Sequence, residues 1–451
     1  MINLNITPGS TDTGNGIDVT SVVDQILSAE RAPETLMQQQ QARVSSQVAT
    51  INSLNSGLAY LQEKVNDLKD VVGALTAMQA NSSDTGILTA SARASTPAGS
   101  HVVTVQNLVT TSSYYTDSLA EPDTTFGTGT ITLQIGSGAG SSSVDIPVDS
   151  TTNTLSKLVA YINANNFGVT ASLIEDSTGS RLALVSETGG SSGDLTVTAN
   201  STGLVFHKSS TGQNSALTVD GVPVSSTSNV IAGVLPGVTL NLTSAAPGVP
   251  VQLTVSPDTA RAQRAISDFV AAYNSVTTAI NNQFAVNEST HSAGVLAGNS
   301  SLRSLQASLL SDVTYSISGN KGLVNLASIG VNMADDGTLS VDSSKLSDAV
   351  TSHFVDLQTL FQSVSQNGFA LNFSADLKQL TDSTRGILNL NLTDLASTQR
   401  MLQNQINDFE DRMTQRQKVL INQYSRIDTM LRQFPLLMQQ ITGQLGVLSQ
   451  K

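Results

Sequence analysis

Leu402-Gln-Asn-Gln-Ile406-Asn-Asp-Phe409-Glu-Asp-Arg-Met413-Thr-Gln-Arg-Gln-Lys-Val-Leu420-Ile-Asn-Gln-Tyr424-Ser-Arg-Ile427-Asp-Thr-Met-Leu431 sets the fold of this chain. Ile406, Met413, Leu420, Ile427, Phe434, Ile441 and Leu448 recur every seven residues. Leu402 and Phe409 accompany that row early; Tyr424, Leu431, Met438 and Leu445 accompany it later. An apolar seam at this spacing is the signature of helices that wind around one another. The companion row changes side between Met413 and Leu420, where Arg416 and Gln417 interrupt the seam, so the coil is not uniformly tight. Pro435 has no backbone donor and crowds the preceding turn, which predicts a kink or a stop near Phe434.

The other end of the chain mirrors this one. Val44, Val48, Ile51, Leu54, Leu58, Leu61, Val65, Leu68, Val72 and Leu75 are separated by steps of three and four, which predicts one amphipathic helix from about Thr35 to Met78. Gly57 and Gly73 each cost it ~1 kcal/mol relative to alanine. Asn55 is a polar residue beside the seam. Taken alone, either stripe also fits ordinary bundle core.

Between the ends lies different text. From about Thr85 to Ser256 the chain is rich in Ser, Thr, Gly and Val, with alternating runs at 101–105, 129–135, 181–185 and 194–198. Turn residues separate them, an antiparallel β pattern of sandwich or barrel type, with one helix expected over Leu155–Asn163. Gly136–Gly140 and Thr188–Gly193 read as loops or hairpin tips. Asp220-Gly221 and Asp336-Gly337, each between alternating residues, read as hairpin turns that need positive φ. After Pro257 the spacing is helical again through Ile280. The expected fold is therefore α+β and multidomain: a coiled-coil leg from both termini, with discontinuous antiparallel β head domains inserted between.

Composition narrows the function. The chain has 451 residues and a formal net charge of −13. Residues 81–260 hold twelve acidic residues against Arg93, Lys157, Arg181 and Lys208. No basic stripe is available for phosphates or an anionic bilayer, so neither nucleic acid nor membrane is an expected partner. There are no cysteines, which removes disulfides, thiolate metal sites and cysteine nucleophiles. The opening Met-Ile-Asn-Leu-Asn-Ile-Thr-Pro lacks the basic start and apolar run of a cleaved signal. No run of about 18 apolar residues exists to cross a bilayer.

No catalytic constellation is present in the sequence. His101, His207, His291 and His353 are scattered, without metal-ligand spacing. Gly136-Ser-Gly-Ala-Gly140 lacks the following helix and acidic residue of a dinucleotide loop. Asp335-Asp-Gly337 with Asp342 lacks the calcium loop's terminal glutamate. No cofactor is expected, and no enzymatic activity.

Five segments resemble the flagellar filament-cap family. The first is Gly16-Ile-Asp-Val-Thr-Ser-Val-Val-Asp-Gln-Ile-Leu-Ser-Ala-Glu-Arg-Ala-Pro33, in which Ser21 and Asp24 suit a helix start. Its apolar side is Val22, Val23, Ile26 and Leu27, and Pro33 punctuates it before the long helix. The second, 212–258, resembles the short β motif shared by flagellins and hook-associated proteins. The others are Gly294–Leu310, Ile329–Leu346 and the terminal coil Leu395–Leu431. From about Asp117 to Ser210 little is recognisable.

The resemblance implies an extracellular cap at the distal tip of the filament, a homo-oligomeric ring of about four to six copies. Flagellin, exported unfolded, is retained and folded beneath it. Hook-associated junction proteins and a flagellar export chaperone are implied partners, and type III export the implied route. The implied domains are 1–45 with 400–451 as the filament-docking leg, 46–80 with 256–399 as a helical bundle with a hairpin, 81–125 with 205–255 as a β head carrying the flagellin/hook-type motif, and 126–204 as an outer β tip. The implied docking residues are Val22, Val23, Ile26, Leu27, Val44, Val48, Ile51, Ile406, Phe409, Met413, Leu420, Tyr424, Ile427 and Leu431. A closed ring on a helical lattice leaves one contact open, so the leg has to hold without locking; Asn55, Arg416 and Gln417 are the expected source of that looseness. The rival readings are a secreted surface adhesin using the β head and a hook–filament junction protein.

Overall fold

The structure, a computed structural model, describes residues 16–137, 140–287, 292–320 and 322–448. The opening residues and His291 lie outside the described residues. The helices are α1 (Val19–Glu30), α2 (Ala32–Lys69), α3 (Leu155–Asn165), α4 (Thr259–Phe284), α5 (Ser300–Val313), α6 (Ser343–Ser352), α7 (Phe354–Gln362), α8 (Phe369–Leu380) and α9 (Ile387–Leu448). The chain divides into two compact units: 1–66 with 267–346 and 359–451, and 67–266 with 347–358.

The first unit is helical. Ile51, Leu54, Leu58 and Leu61 of α2 are buried, as are Phe269, Tyr273, Val276 and Ile280 of α4 and Leu302, Leu305 and Leu309 of α5. Phe269 meets Phe369 and Phe373 edge-on, with ring centroids 5.7 and 5.5 Å apart. Such contacts add about 0.5–1.5 kcal/mol each beyond the area they bury. α2 and α9 run antiparallel. Gln41 donates to Gln403 at 2.8 Å, Gln399 to Ser45 at 3.4 Å and Asn55 to Asn389 at 3.1 Å. Each step down one helix is matched by an equal step up the other. The hairpin Val331–Met333 with Leu339–Val341 also belongs here, held to α4 by Asn274, which donates to the Leu339 carbonyl and accepts its N–H.

Three expectations about the helices need correction. α1 starts at Asp18, not at Ser21 or Asp24: the Asp18 carboxylate accepts the Thr20 and Ser21 N–H groups, a cap that leaves Ser21 inside the first turn. α2 stops at Lys69 rather than near Met78. The Gly73 N–H donates to the Asp70 carbonyl and closes a turn, which leaves Val72 73% exposed. Leu75 is buried from a separate single-turn helix, Ala74–Thr76. Pro435 does not stop α9, which continues to Leu448. The turns around it are exposed, so water can take the carbonyl that proline leaves unpaired.

The second unit is antiparallel β with α3. Its strands, in chain order, are β1 (Met78–Ser82), β2 (Leu88–Ala92), β3 (Gly99–Asn107), β4 (Thr111–Thr116), β5 (Gly129–Ile135), β6 (Ser142–Val148), β7 (Val169–Asp176), β8 (Gly179–Gly189), β9 (Leu195–Asn200), β10 (Phe206–Ser210), β11 (Ser215–Val219), β12 (Val222–Ser226), β13 (Val230–Ala232), β14 (Val238–Leu242) and β15 (Val251–Pro257). One core lies between the sheets β1-β15-β3-β11-β12 and β13-β14-β2, where Val103, Val105, Leu217, Leu240 and Leu253 meet. A second lies between β10-β4-β8-β7 and β6-β5-β9, closed by Leu155, Leu158 and Ile162 of α3. Alternate residues of β4, β11 and β14 are buried, which is the period-2 pattern of strands with one wet face. Gly136–Gly140 joins the paired strands β5 and β6; residues 138 and 139 lie outside the described residues.

Candidate docking surface

α1 lies along α9. Val23 and Leu27, one helical turn apart, are buried with Met413 and Leu420. Val19, Ile26, Phe409 and Tyr424 pack around that core, and Val22 is half-buried beside it. Toward the start of α9, Leu402 and Ile406 are buried, as are Val44 and Ile51 on α2, with Val48 half-buried. The heptad row of α9 is thus covered as far as Tyr424 and half-covered at Ile427. Beyond that it is bare. Leu431 is 41% exposed, Phe434 64%, Met438 53% and Ile441 50%. Leu436 and Leu437 are equally open. The side chains of Leu445 and Leu448 lie outside the described residues. Contiguous bare apolar surface is common at sites of contact with other molecules.

The polar positions divide. Asn55, on α2, faces α9: its amide nitrogen donates to Asn389, while its buried oxygen has no partner among the described residues. Arg416 does not interrupt the seam. It reaches out to Glu30 of α1, 3.2 Å between Nη2 and Oε1, and both are solvent-accessible. Gln417 is simply exposed, so it breaks no buried row. Two residues that spacing alone did not single out hold the far end of α1. The Asp428 carboxylate accepts the Ile17 N–H at 2.9 Å and the Arg432 Nε–H at 2.8 Å. Arg432, then the Ile17 amide, hold that carboxyl below the usual range.

Asp220 and Gly221 form a two-residue loop between β11 and β12, both at positive φ (51° and 84°). That is the twist-matched hairpin turn, which glycine adopts without strain. Asp220 has a second role. Its carboxylate accepts from the Val102 N–H at 2.9 Å and lies 2.7 Å from His101 Nδ1, which ties the hairpin to β3. Gly337 has φ 81°, but Asp336 does not share it; its loop is longer, and Asp336 accepts from Thr338 instead. His101, His207 and His353 each face one aspartate: Asp220, Asp117 and Asp356. Among the described residues no group of three or more His, Cys, Asp or Glu is placed to hold a metal. No helix among them is long and apolar enough to cross a membrane.

α9 is thus a heptad helix clothed by its own chain from Leu388 to Tyr424, with its apolar row bare from Leu431 to Ile441. The model of the flagellar hook-associated protein 2 C-terminus matches residues 212–435, and that of its N-terminus matches 15–112. The flagellin hook IN motif matches 130–188. That matched unit is β5, β6, α3, β7 and β8, whereas the expectation placed a flagellin-type motif at 212–258. The B-type flagellar hook-associated protein 2 of Pseudomonas aeruginosa is 29% identical over 99% of this chain and 98% of its own length. The flagellar hook-associated protein 2 of Escherichia coli K12 is 25% identical over 94% of each. The D1-D2-D3 domains of the flagellar cap protein FliD from Escherichia coli superpose with a TM-score of 0.61 at 26% identity, over 77% of this chain and 99% of that one. The chain belongs to the flagellar hook-associated protein 2 family.

Proposed function

We infer that the chain is a structural cap of the flagellar filament. It works as an oligomer and acts on flagellin. In detail, it sits at the distal tip outside the cell, keeps exported flagellin from diffusing away, and assists its folding and insertion beneath the cap. A closed ring of about four to six copies meeting a helical lattice leaves one binding position open for the incoming subunit. The junction proteins of the hook and an export chaperone are its further partners.

The observation that carries this reading is the bare row from Leu431 to Ile441, in a chain related along its whole length to hook-associated protein 2. Residues 1–45 with 400–451 serve as the docking leg, 46–80 with 256–399 as the bundle, 81–125 with 205–255 as one β domain, and 126–204 as the outermost. In the leg Val22, Val23, Ile26, Leu27, Val44, Val48, Ile51, Ile406, Phe409, Met413, Leu420, Tyr424 and Ile427 hold the helices together, and Leu431 begins the docking row. The orphaned oxygen of Asn55 and the exposed Arg416–Glu30 pair support a leg that holds without locking. The whole-length relationship favours the cap over the adhesin and junction readings.

Deleting the gene tests it. Cells without filaments that shed flagellin monomer into the medium, restored by this chain, support a cap. Intact filaments in the deletion strain overturn it.

A further inference from the structure

We propose that α1 is a hinged strap over α9, latched by charged side chains, that lifts while the helical bundle behind it stays folded. α9 is the one element, among those described, against which α1 packs extensively. A single residue, Arg31, separates α1 from α2, and Pro33 has no N–H to carry the helical ladder across that joint. The joint is a hinge.

Both ends of the strap are tied by charge. At the hinge end Arg416 meets Glu30 at 3.2 and 3.4 Å. At the N-terminal end of α1 the Ile17 N–H is held by Asp428, itself braced by Arg432. Gly16 lies close by: a Cβ there would stand 2.7 Å from Asp428 Oδ1 and 2.8 Å from Arg432 Nη2, so those side-chain ends would have to shift to admit one. Between the ties only Val23, Leu27, Met413 and Leu420 are fully buried. Exposed ion pairs contribute little and are screened by salt. A helix of twelve residues does not hold its shape alone in water, so a strap that lets go also unwinds. The α2–α9 seam is different. Its cross-links are neutral amides and its apolar row is longer, so salt has little there to screen. Lifting α1 uncovers Met413 and Leu420 and makes the bare row continuous from Phe409 to Ile441. The device concerns α1 and α9 of one chain and stands whichever partner takes that row.

The chain has no cysteine, so one introduced thiol reports alone. Full-length Leu420→Cys and Met413→Cys are compared with Leu58→Cys in the bundle core, by rate of thiol modification. Raising NaCl from about 0.05 to 1 M shortens the screening length several-fold, and the thiols at 413 and 420 should then react about two- to fivefold faster. Asp428→Ala should give a larger gain, about tenfold, by removing a charge-assisted hydrogen bond. The thiol at 58 should not respond. Hydrogen exchange on the unaltered chain repeats the test without any substitution: α1 amides should exchange faster in salt, those of Ile51–Leu61 should not. Equal reactivity at 413, 420 and 58, or α1 amides that exchange together with the bundle at every salt concentration, would overturn the strap.

Discussion

Asn55 donates to Asn389 at 3.1 Å across 334 residues of chain, and its own amide oxygen is buried without a partner. One hydrogen bond is made and one acceptor is orphaned, at the place where the first long helix meets the last. Asn389 does more: it also donates to the Thr381 and Asp382 carbonyls at 3.3 and 2.9 Å.

The two ends of that bond should therefore answer differently to substitution. Asn55→Leu removes the orphan and extends the row of Ile51, Leu54 and Leu58 but takes the donor from Asn389 Oδ1, so the two effects offset and stability should stay within about 1 kcal/mol of the parent. Asn389→Ala strips three hydrogen bonds and should cost about 1–3 kcal/mol. Urea unfolding followed by circular dichroism measures both.

Asp312, on α5, is buried, and its carboxyl is pushed up to about 8 by that burial and by its hydrogen bond to the nearby Asp376 carboxyl on α8. The folded protein keeps this proton between about pH 4 and 8 while the unfolded chain has released it. Stability should fall as pH rises through that window and level off above it. In Asp312→Asn the slope from this group should vanish. Thermal melts at a series of pH values read the difference.

Asp220 should act with the opposite sign. Its hydrogen bonds from His101 and the Val102 N–H depress its carboxyl below the usual range. That contribution is present at neutral pH and is lost on acidification through the depressed value. Asp220→Asn should lower the melting temperature at pH 7, and its difference from the parent should shrink as the solution is acidified through that depressed value.

Gly221, at φ 84°, is the position where the β11–β12 turn forbids an ordinary side chain. Gly221→Val should cost about 1–2 kcal/mol through left-handed strain, although nothing stands within 4 Å of its Cβ position. Loss of amide protection along Ser215–Ser226 would locate the damage in the hairpin.

Much of this was legible from residue order, and the reasons are local. A seven-residue row such as Ile406, Met413 and Leu420 can only line one side of a helix. Alternation in His101–Val105 can only put Val103 and Val105 on one face of a strand. Asp220-Gly221 named its turn by itself. What residue order hid depends on distant chain. Leu431, Phe434 and Ile441 continue the row of Leu420 without a break, yet α1 ends its cover near Tyr424, because the chain at Ile17 is pinned to Asp428. The cap at Asp18 was missed because Ser21 and Asp24 are equally good capping residues, and which one serves depends on where the preceding chain turns. Asp220's bond to His101 lies 119 residues away in sequence, so only strand pairing reveals it. Pro435 breaks helices in buried settings; at an exposed helix end its cost falls, since water completes the freed carbonyl.

The docking row is tested most directly by substituting Phe434, Met438 and Ile441 together with Ser and returning the chain to a strain that lacks it. All three are about half or more exposed, so the variant should fold and melt as the parent does. The expected result is a secreted, folded protein that no longer supports filaments, with monomeric flagellin accumulating in the medium. Filaments of normal number and length from this variant would contradict a docking role for the bare row of α9.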